Sequence, residues 1–104
     1  MLRSLFLCLA GLLSVTQVLA NPPPQERQET LRNMLRHDCG ACHGLTLKGG
    51  LGSALLADDL AAKPDDYLVD TIQNGRKGTA MPHWKPFISE QETLWLVQKI
   101  LKRH

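Results

Sequence analysis

Aromatic side chains are scarce in this chain: two Trp, two Phe and one Tyr among 104 residues. Cysteine is scarcer still, at three residues, which excludes a disulfide-stapled scaffold. The longest apolar stretch, Leu5 to Val18, is interrupted by Ser14, Thr16 and Gln17. It falls short of the ~20 apolar residues a membrane-spanning helix needs, so the mature chain is expected to have no span. Lys and Arg number 12 against 10 Asp and Glu, with no basic stripe, and nothing points to a nucleic-acid partner. Alternating strand patterns are almost absent, and so is any Ser/His/Asp grouping suited to hydrolysis. One small, helical, monomeric domain is the expectation.

The first residues read as a leader. Met1 to Arg3 carries a positive charge, the apolar stretch follows, and Val18-Leu19-Ala20 offers small residues where a signal peptidase reads. Residues 1–20 are therefore expected to be a Sec signal peptide that directs the chain to the periplasm and is cleaved after Ala20. Cys8 and Arg3 would leave with it. Residues 21–25, which hold Pro22, Pro23 and Pro24, read as a flexible mature N-terminus, and residues 26–104 as the domain. A domain of that size is near the limit at which an apolar core alone suffices. With so few aromatics, it would gain much from a large apolar cofactor at its centre.

Periodicity predicts about four helices and an all-α fold. Leu31, Met34 and Leu35 form one face of a first helix from about Glu26 to His37. Residues 44–56 read as a Gly-rich loop, and a short helical turn is expected near Asp58 to Ala62. A further helix opens at Pro64, buries Leu68, Val69 and Ile72, and ends at Asn74-Gly75. Arg76 to Ile88 is a second loop. Ser89 with Glu92 three residues on is a capping-box pattern, and it starts a last helix with Leu94, Trp95, Leu96, Val97, Ile100 and Leu101 on its apolar face.

Cys39-Gly40-Ala41-Cys42-His43 is the run that carries chemistry. Two thiols separated by two residues can add to the two vinyl groups of a haem, and the next residue can turn its imidazole to the iron. Cys-x-x-Cys-His is a haem c attachment signature. A thioredoxin-like pair would need a βαβ setting, which is missing here. A zinc site would need a second pair of ligands. The reading is one covalently attached haem c, with Cys39 and Cys42 as thioethers and His43 as the proximal axial iron ligand. Met81, in Thr79-Ala80-Met81-Pro82, is the expected distal axial ligand. His83, two residues further on, is the rival for that position. Met34 sits on a helix face, where core packing accounts for it.

The order of these features resembles a class I cytochrome c. Asp38 to Gly52, and Asn74-Gly75-Arg76 followed by Thr79-Ala80-Met81-Pro82-His83-Trp84, are similar to the small cytochrome c55X (NirC) family of denitrifying bacteria. The resemblance covers nearly all of the chain after residue 20. It implies helices wrapped around one haem, the first and last crossing, with Leu31, Leu35, Leu96, Val97 and Ile100 at the contact. It implies a periplasmic electron carrier rather than an enzyme. The redox partners implied are cytochrome cd1 nitrite reductase or the dehydrogenase that completes haem d1.

A His/Met pair raises the reduction potential relative to two imidazoles and closes both iron positions. Lys48, Arg76, Lys77 and Lys85 fall in the loops expected around the haem edge. They would either bias docking toward an acidic partner or simply solvate the loops. The alternatives are a small peroxidase-like haem enzyme or a gas-binding haem protein. Either needs an open iron position, and the first also needs a distal acid–base group, for which His83 is the candidate.

Overall fold

Three consecutive prolines cannot continue a helix, and the first helix starts directly after them. The computed structural model describes Gly11, Leu12 and residues 22–103. The expected signal peptide at 1–20 lies almost wholly outside the described residues, as does His104. Helix α1 is Gln25–Met34, one residue earlier than periodicity gives. Its entry is fixed from within. Gln28 N donates to Pro24 O at 2.9 Å, and Gln28 Nε2 to Pro23 O at 2.8 Å.

The helix does not end at His37. It passes through a π-helical segment, Leu35–Cys39, into α2, Gly40–His43. No proline interrupts this run, and Gly40 keeps helical angles. The first true break is Gly44, at φ 89°. An extra residue in one turn rotates everything after it by about 100° around the axis. The Cys-x-x-Cys-His segment is thereby re-aimed relative to the apolar stripe of α1.

A short helix, α3, is Ala57–Leu60. Helix α4 is Asp65–Asn74, with Pro64 in extended backbone as its N-cap rather than inside its first turn. Helix α5 is Glu90–Ile100. Its capping box is present: Glu92 N donates to Ser89 Oγ at 3.1 Å, and Ser89 N to Glu92 Oε1 at 2.9 Å. There is no strand among the described residues, and the fold is all-α, as expected.

Helices α4 and α5 run antiparallel. Asp65, in the first turn of α4, accepts from Gln98 at 2.7 Å and from Arg103 at 2.8 Å at the far end of α5. Asp65 is thus a clasp, not a solvating charge. At the other end of the pair, Gln73 meets Thr93.

The core divides into two apolar clusters. Leu31, Ile88 and Leu96 are buried together, with Met34, Leu35, Trp84 and Trp95 around them. Leu60, Val69, Val97 and Leu101 form the other, flanked by Leu55, Leu68 and Ile100. Ile72 touches both. Of the residues expected at the crossing of first and last helices, Leu31, Leu35 and Leu96 are there. Val97 and Ile100 pack instead toward α3 and α4, because α5 presents adjacent faces to two neighbours. Leu94, on the same helix, is exposed.

Arg27 fastens α1 to the start of α5. Its guanidinium pairs with the Glu92 carboxylate and donates to Phe87 O at 3.0 Å. The hydrogen bond from Arg27 holds the Glu92 carboxyl below the usual carboxylate range, against the opposing effect of its partial burial. A depressed native pKa means that the unfolded chain takes up this proton first as pH falls. The stabilisation from Glu92 is complete above about pH 4–5 and is lost as pH drops through the native value. Arg27→Ala should cost about 1 kcal/mol at neutral pH, measured by urea unfolding of the haem-loaded protein. Glu92→Gln, which keeps a capping-box side chain, should flatten the loss of stability on the acid side.

Candidate functional site

The motif segment ends at Gly44, and the chain then folds back on itself. Gly49 N donates to His43 O, and Gly52 N to Cys42 O, each at 2.8 Å. This return brings Ser53 to the imidazole: His43 Nδ1 lies 2.6 Å from Ser53 O. A carbonyl can only accept, so Nδ1 carries the proton and Nε2 is left free for a metal. The acceptor is a backbone atom, so any residue at position 53 supplies it. Gly52 is needed for a different reason. A Cβ there would sit 2.9 Å from His43 Cε1 and Nδ1, closer than such contacts occur. The Gly-rich loop therefore packs on the imidazole and on its own backbone.

The second loop hangs from the end of α4. The last carbonyls of a helix lack intrahelical partners, and here the loop supplies them. Trp84 N donates to Ile72 O at 3.0 Å and Lys85 N to Gln73 O at 3.1 Å. Gly75, at φ 69°, lets the loop come close: a Cβ there would lie 2.7 Å from Met81 O. Arg76 N in turn donates to Met81 O at 3.3 Å, and Met81 N to Thr79 Oγ1 at 3.2 Å.

Between these two loops lies a cavity of about 620 Å³. Cys39, Cys42 and His43 line it from the motif segment, and Met81 lines it from the second loop. Leu68 and Ile72 of α4, with Val97 of α5, supply apolar wall. Lys63 and Arg76 are the cationic side chains in the lining, and they sit beyond opposite ends of α4. A volume of this size falls within the range of cofactor sites, about 300–1,000 Å³.

His83 is exposed and outside the lining, although it is two residues from Met81. Met34 is in the α1 cluster, as expected. Lys48, Arg76, Lys77 and Lys85 are all exposed. The two motif cysteines are not bonded to each other. Burial, reinforced by the neighbouring Asp38 charge, pushes the Cys39 thiol up to about 11. That is opposite to the lowered thiol pKa of a thioredoxin-like pair. Among the described residues there is no cluster of His, Cys, Asp or Glu fit to hold a metal ion alone.

Sequence reasoning did not find Gln73. It is buried, and its side-chain amide donates to Thr93 Oγ1 at 2.6 Å and to Ile88 O at 3.0 Å. The available signal was its position, one residue after Ile72 on the face that α5 covers.

The lining fits a large, flat, apolar group held at its edge by thiols. It combines two cysteine sulfurs, an imidazole with one nitrogen already committed, a thioether-bearing loop and apolar walls. Comparison with known proteins agrees. Residues 26–98 match the family model described as cytochrome c oxidase, cbb3-type, subunit III. The chain is 48% identical over 96 residues to cytochrome c55X of Stutzerimonas stutzeri, covering 92% of this chain and 85% of that protein. A solved structure of the c-type cytochrome NirC superposes with a TM-score of 0.75 at 45% identity, covering 77% of this chain and 94% of that one. A structure of dihydro-heme d1 dehydrogenase NirN in complex with DHE gives a TM-score of 0.63 at 26% identity, over 70% of this chain but 16% of that one. The chain belongs to the cytochrome c55X family of c-type cytochromes, and its cofactor is covalently bound haem c.

Proposed function

We propose that this cytochrome is a periplasmic, monomeric, single-haem electron carrier of denitrification. In this reading Cys39 and Cys42 hold the haem as thioethers, and His43 and Met81 are its axial ligands. The observation that carries it is the shared cavity, lined by both thiols, the oriented imidazole and Met81. Haem c, when bound, supplies a one-electron couple. The protein's part is to hold both axial side chains in place and keep water from the iron. Ser53 O keeps the Nδ1 proton of His43, which fixes the tautomer and makes the imidazole a better donor. Met81 comes on a loop tied at both ends to α4. With both positions filled, the site exchanges electrons without binding oxygen or peroxide. The peroxidase-like reading lacks support, because His83 is exposed and outside the cavity lining.

Two partners fit: cytochrome cd1 nitrite reductase as electron acceptor, and the dehydrogenase of haem d1 maturation as donor. The family resemblance supports both. The structural likeness to part of a dihydro-heme d1 dehydrogenase supports the second. Docking at the cavity mouth would use Leu51, which is 97% exposed and lines the cavity, together with Lys77 and Lys85, which are exposed on the second loop.

Three outcomes test this reading. Haem-loaded protein matured in a periplasm should be low-spin, show the weak far-red sulfur-to-iron band when ferric, and ignore CO when ferrous. Met81→Ala should abolish the band and admit CO, while His83→Ala should change neither. A high-spin or CO-reactive wild type would overturn the carrier reading. Gly52→Ala drives a methyl into the His43 ring and should cost about 1–3 kcal/mol by denaturant unfolding of the same protein. Lys77→Glu with Lys85→Glu should slow electron transfer to purified nitrite reductase about tenfold at low salt, and much less at high salt. An unchanged salt dependence would remove those lysines from docking.

A further inference from the structure

Loop 76–88 leaves α4 at Gly75 and rejoins it at Trp84 and Lys85 through main-chain bonds to Ile72 and Gln73. Of the two loop residues, Lys85 is exposed and Trp84 packs against the buried Leu31–Ile88–Leu96 cluster. The loop's final stretch is held by something else. Gln73 is 7% exposed and Thr93 is fully buried. Gln73 Nε2 donates to Thr93 Oγ1 at 2.6 Å, to Ile88 O at 3.0 Å and to Ser89 O at 3.4 Å. The Thr93 hydroxyl spends its own proton on Ser89 O at 2.8 Å. The direction of this chain is therefore fixed. Thr93 accepts and Gln73 donates, a role a carboxylate could not take.

We propose that Gln73 is a positioning residue for Met81. Its buried amide latches the far end of the ligand loop to α4, and so sets how readily the Met81 thioether gives way to another ligand. This rests on Met81 being the distal ligand. The physical argument is tethering. Met81 is held on its N-terminal side by Arg76 N and by the close approach to Gly75. On its C-terminal side the tether runs through Trp84 and Lys85 to Ile88. Ile88 itself is buried with Leu31 and Leu96, so the latch also seats the loop on the α1–α5 crossing. Losing the amide leaves Ile88 O short of a buried donor and frees the exit end. The loop then gains the entropy of a chain fixed at one end.

The test uses full-length, haem-loaded ferric protein titrated with imidazole, with displacement of Met81 followed by loss of the far-red band. Global unfolding is followed separately by far-UV circular dichroism. Gln73→Leu should raise the apparent imidazole affinity about tenfold, the scale of one lost buried hydrogen bond. Thr93→Val should act in the same direction, and Thr93→Ser, which keeps the hydroxyl, should restore wild-type affinity. Arg103→Ala is the control, because it breaks the Asp65 clasp at the opposite end of α4 from the ligand loop. It should leave imidazole affinity unchanged while lowering the unfolding midpoint. If Gln73→Leu does not accumulate, the Thr93 pair carries the same comparison. Equal shifts in Gln73→Leu and Arg103→Ala, or no shift in either Gln73→Leu or Thr93→Val, would overturn the proposal and leave Met81 ligation standing. A wild type without the far-red band would instead remove the ligand assignment, and this proposal with it.

Discussion

The folded chain leaves an apolar cavity between its two loops, backed by the Leu60–Val69–Val97 cluster, and most of the remaining structure follows from having to wall that space. The two clusters meet at Ile72: Leu60, Leu68 and Val97 of one wall the cavity, while the other reaches it only through Ile72 and Trp84. Apolar surface facing an unfilled space loses both the hydrophobic gain and the dispersion contacts of a packed interior. A chain with so few large side chains cannot close the gap itself. The cofactor is therefore part of the core in the energetic sense, and electron transfer is built on the same contacts that complete the fold.

The end of α4 organises the cover. Its unpaired carbonyls, its terminal glycine and its one buried polar side chain all bind the same loop. The attachment segment is organised by a different device, a tight return of the chain from His43 to Ser53 that holds the imidazole through a backbone carbonyl. One loop thus grips a side chain and the other is gripped by a helix. The two are joined through the helices rather than through each other.

Much of this was legible in the residues. Cys39, Cys42 and His43 were readable because haem attachment demands a fixed local spacing. Met81 was marked out by its place in a Pro-stiffened loop, and it lines the same cavity as the attachment motif, whereas His83 does not. The α5 capping box and the Asn74-Gly75 stop were readable for the same reason: their chemistry is local. The helix through His37 was not, since the π-helical segment keeps the backbone bonded with no change of residue type to announce it. The Arg27–Glu92 pair, the Asp65 clasp and the Gln73–Thr93 link were also hidden. Each joins residues far apart in sequence, and each side chain alone looks like an ordinary solvated polar group. Val97 and Ile100 were assigned to the wrong neighbour because periodicity shows which residues are buried and not which helix buries them.

The antiparallel pairing of α4 with α5 has a consequence for the order of assembly. Thiols and imidazole lie in the first half of the chain. The residues that shut the cavity, from Ile72 to Val97, lie in the second. A chain emerging from its amino end thus presents an open half-shell first. The enclosure is complete only with α5 seated against α1 and the Asp65 clasp made. The last helix is thus the one element that completes both the packing of the core and the wall around the cofactor.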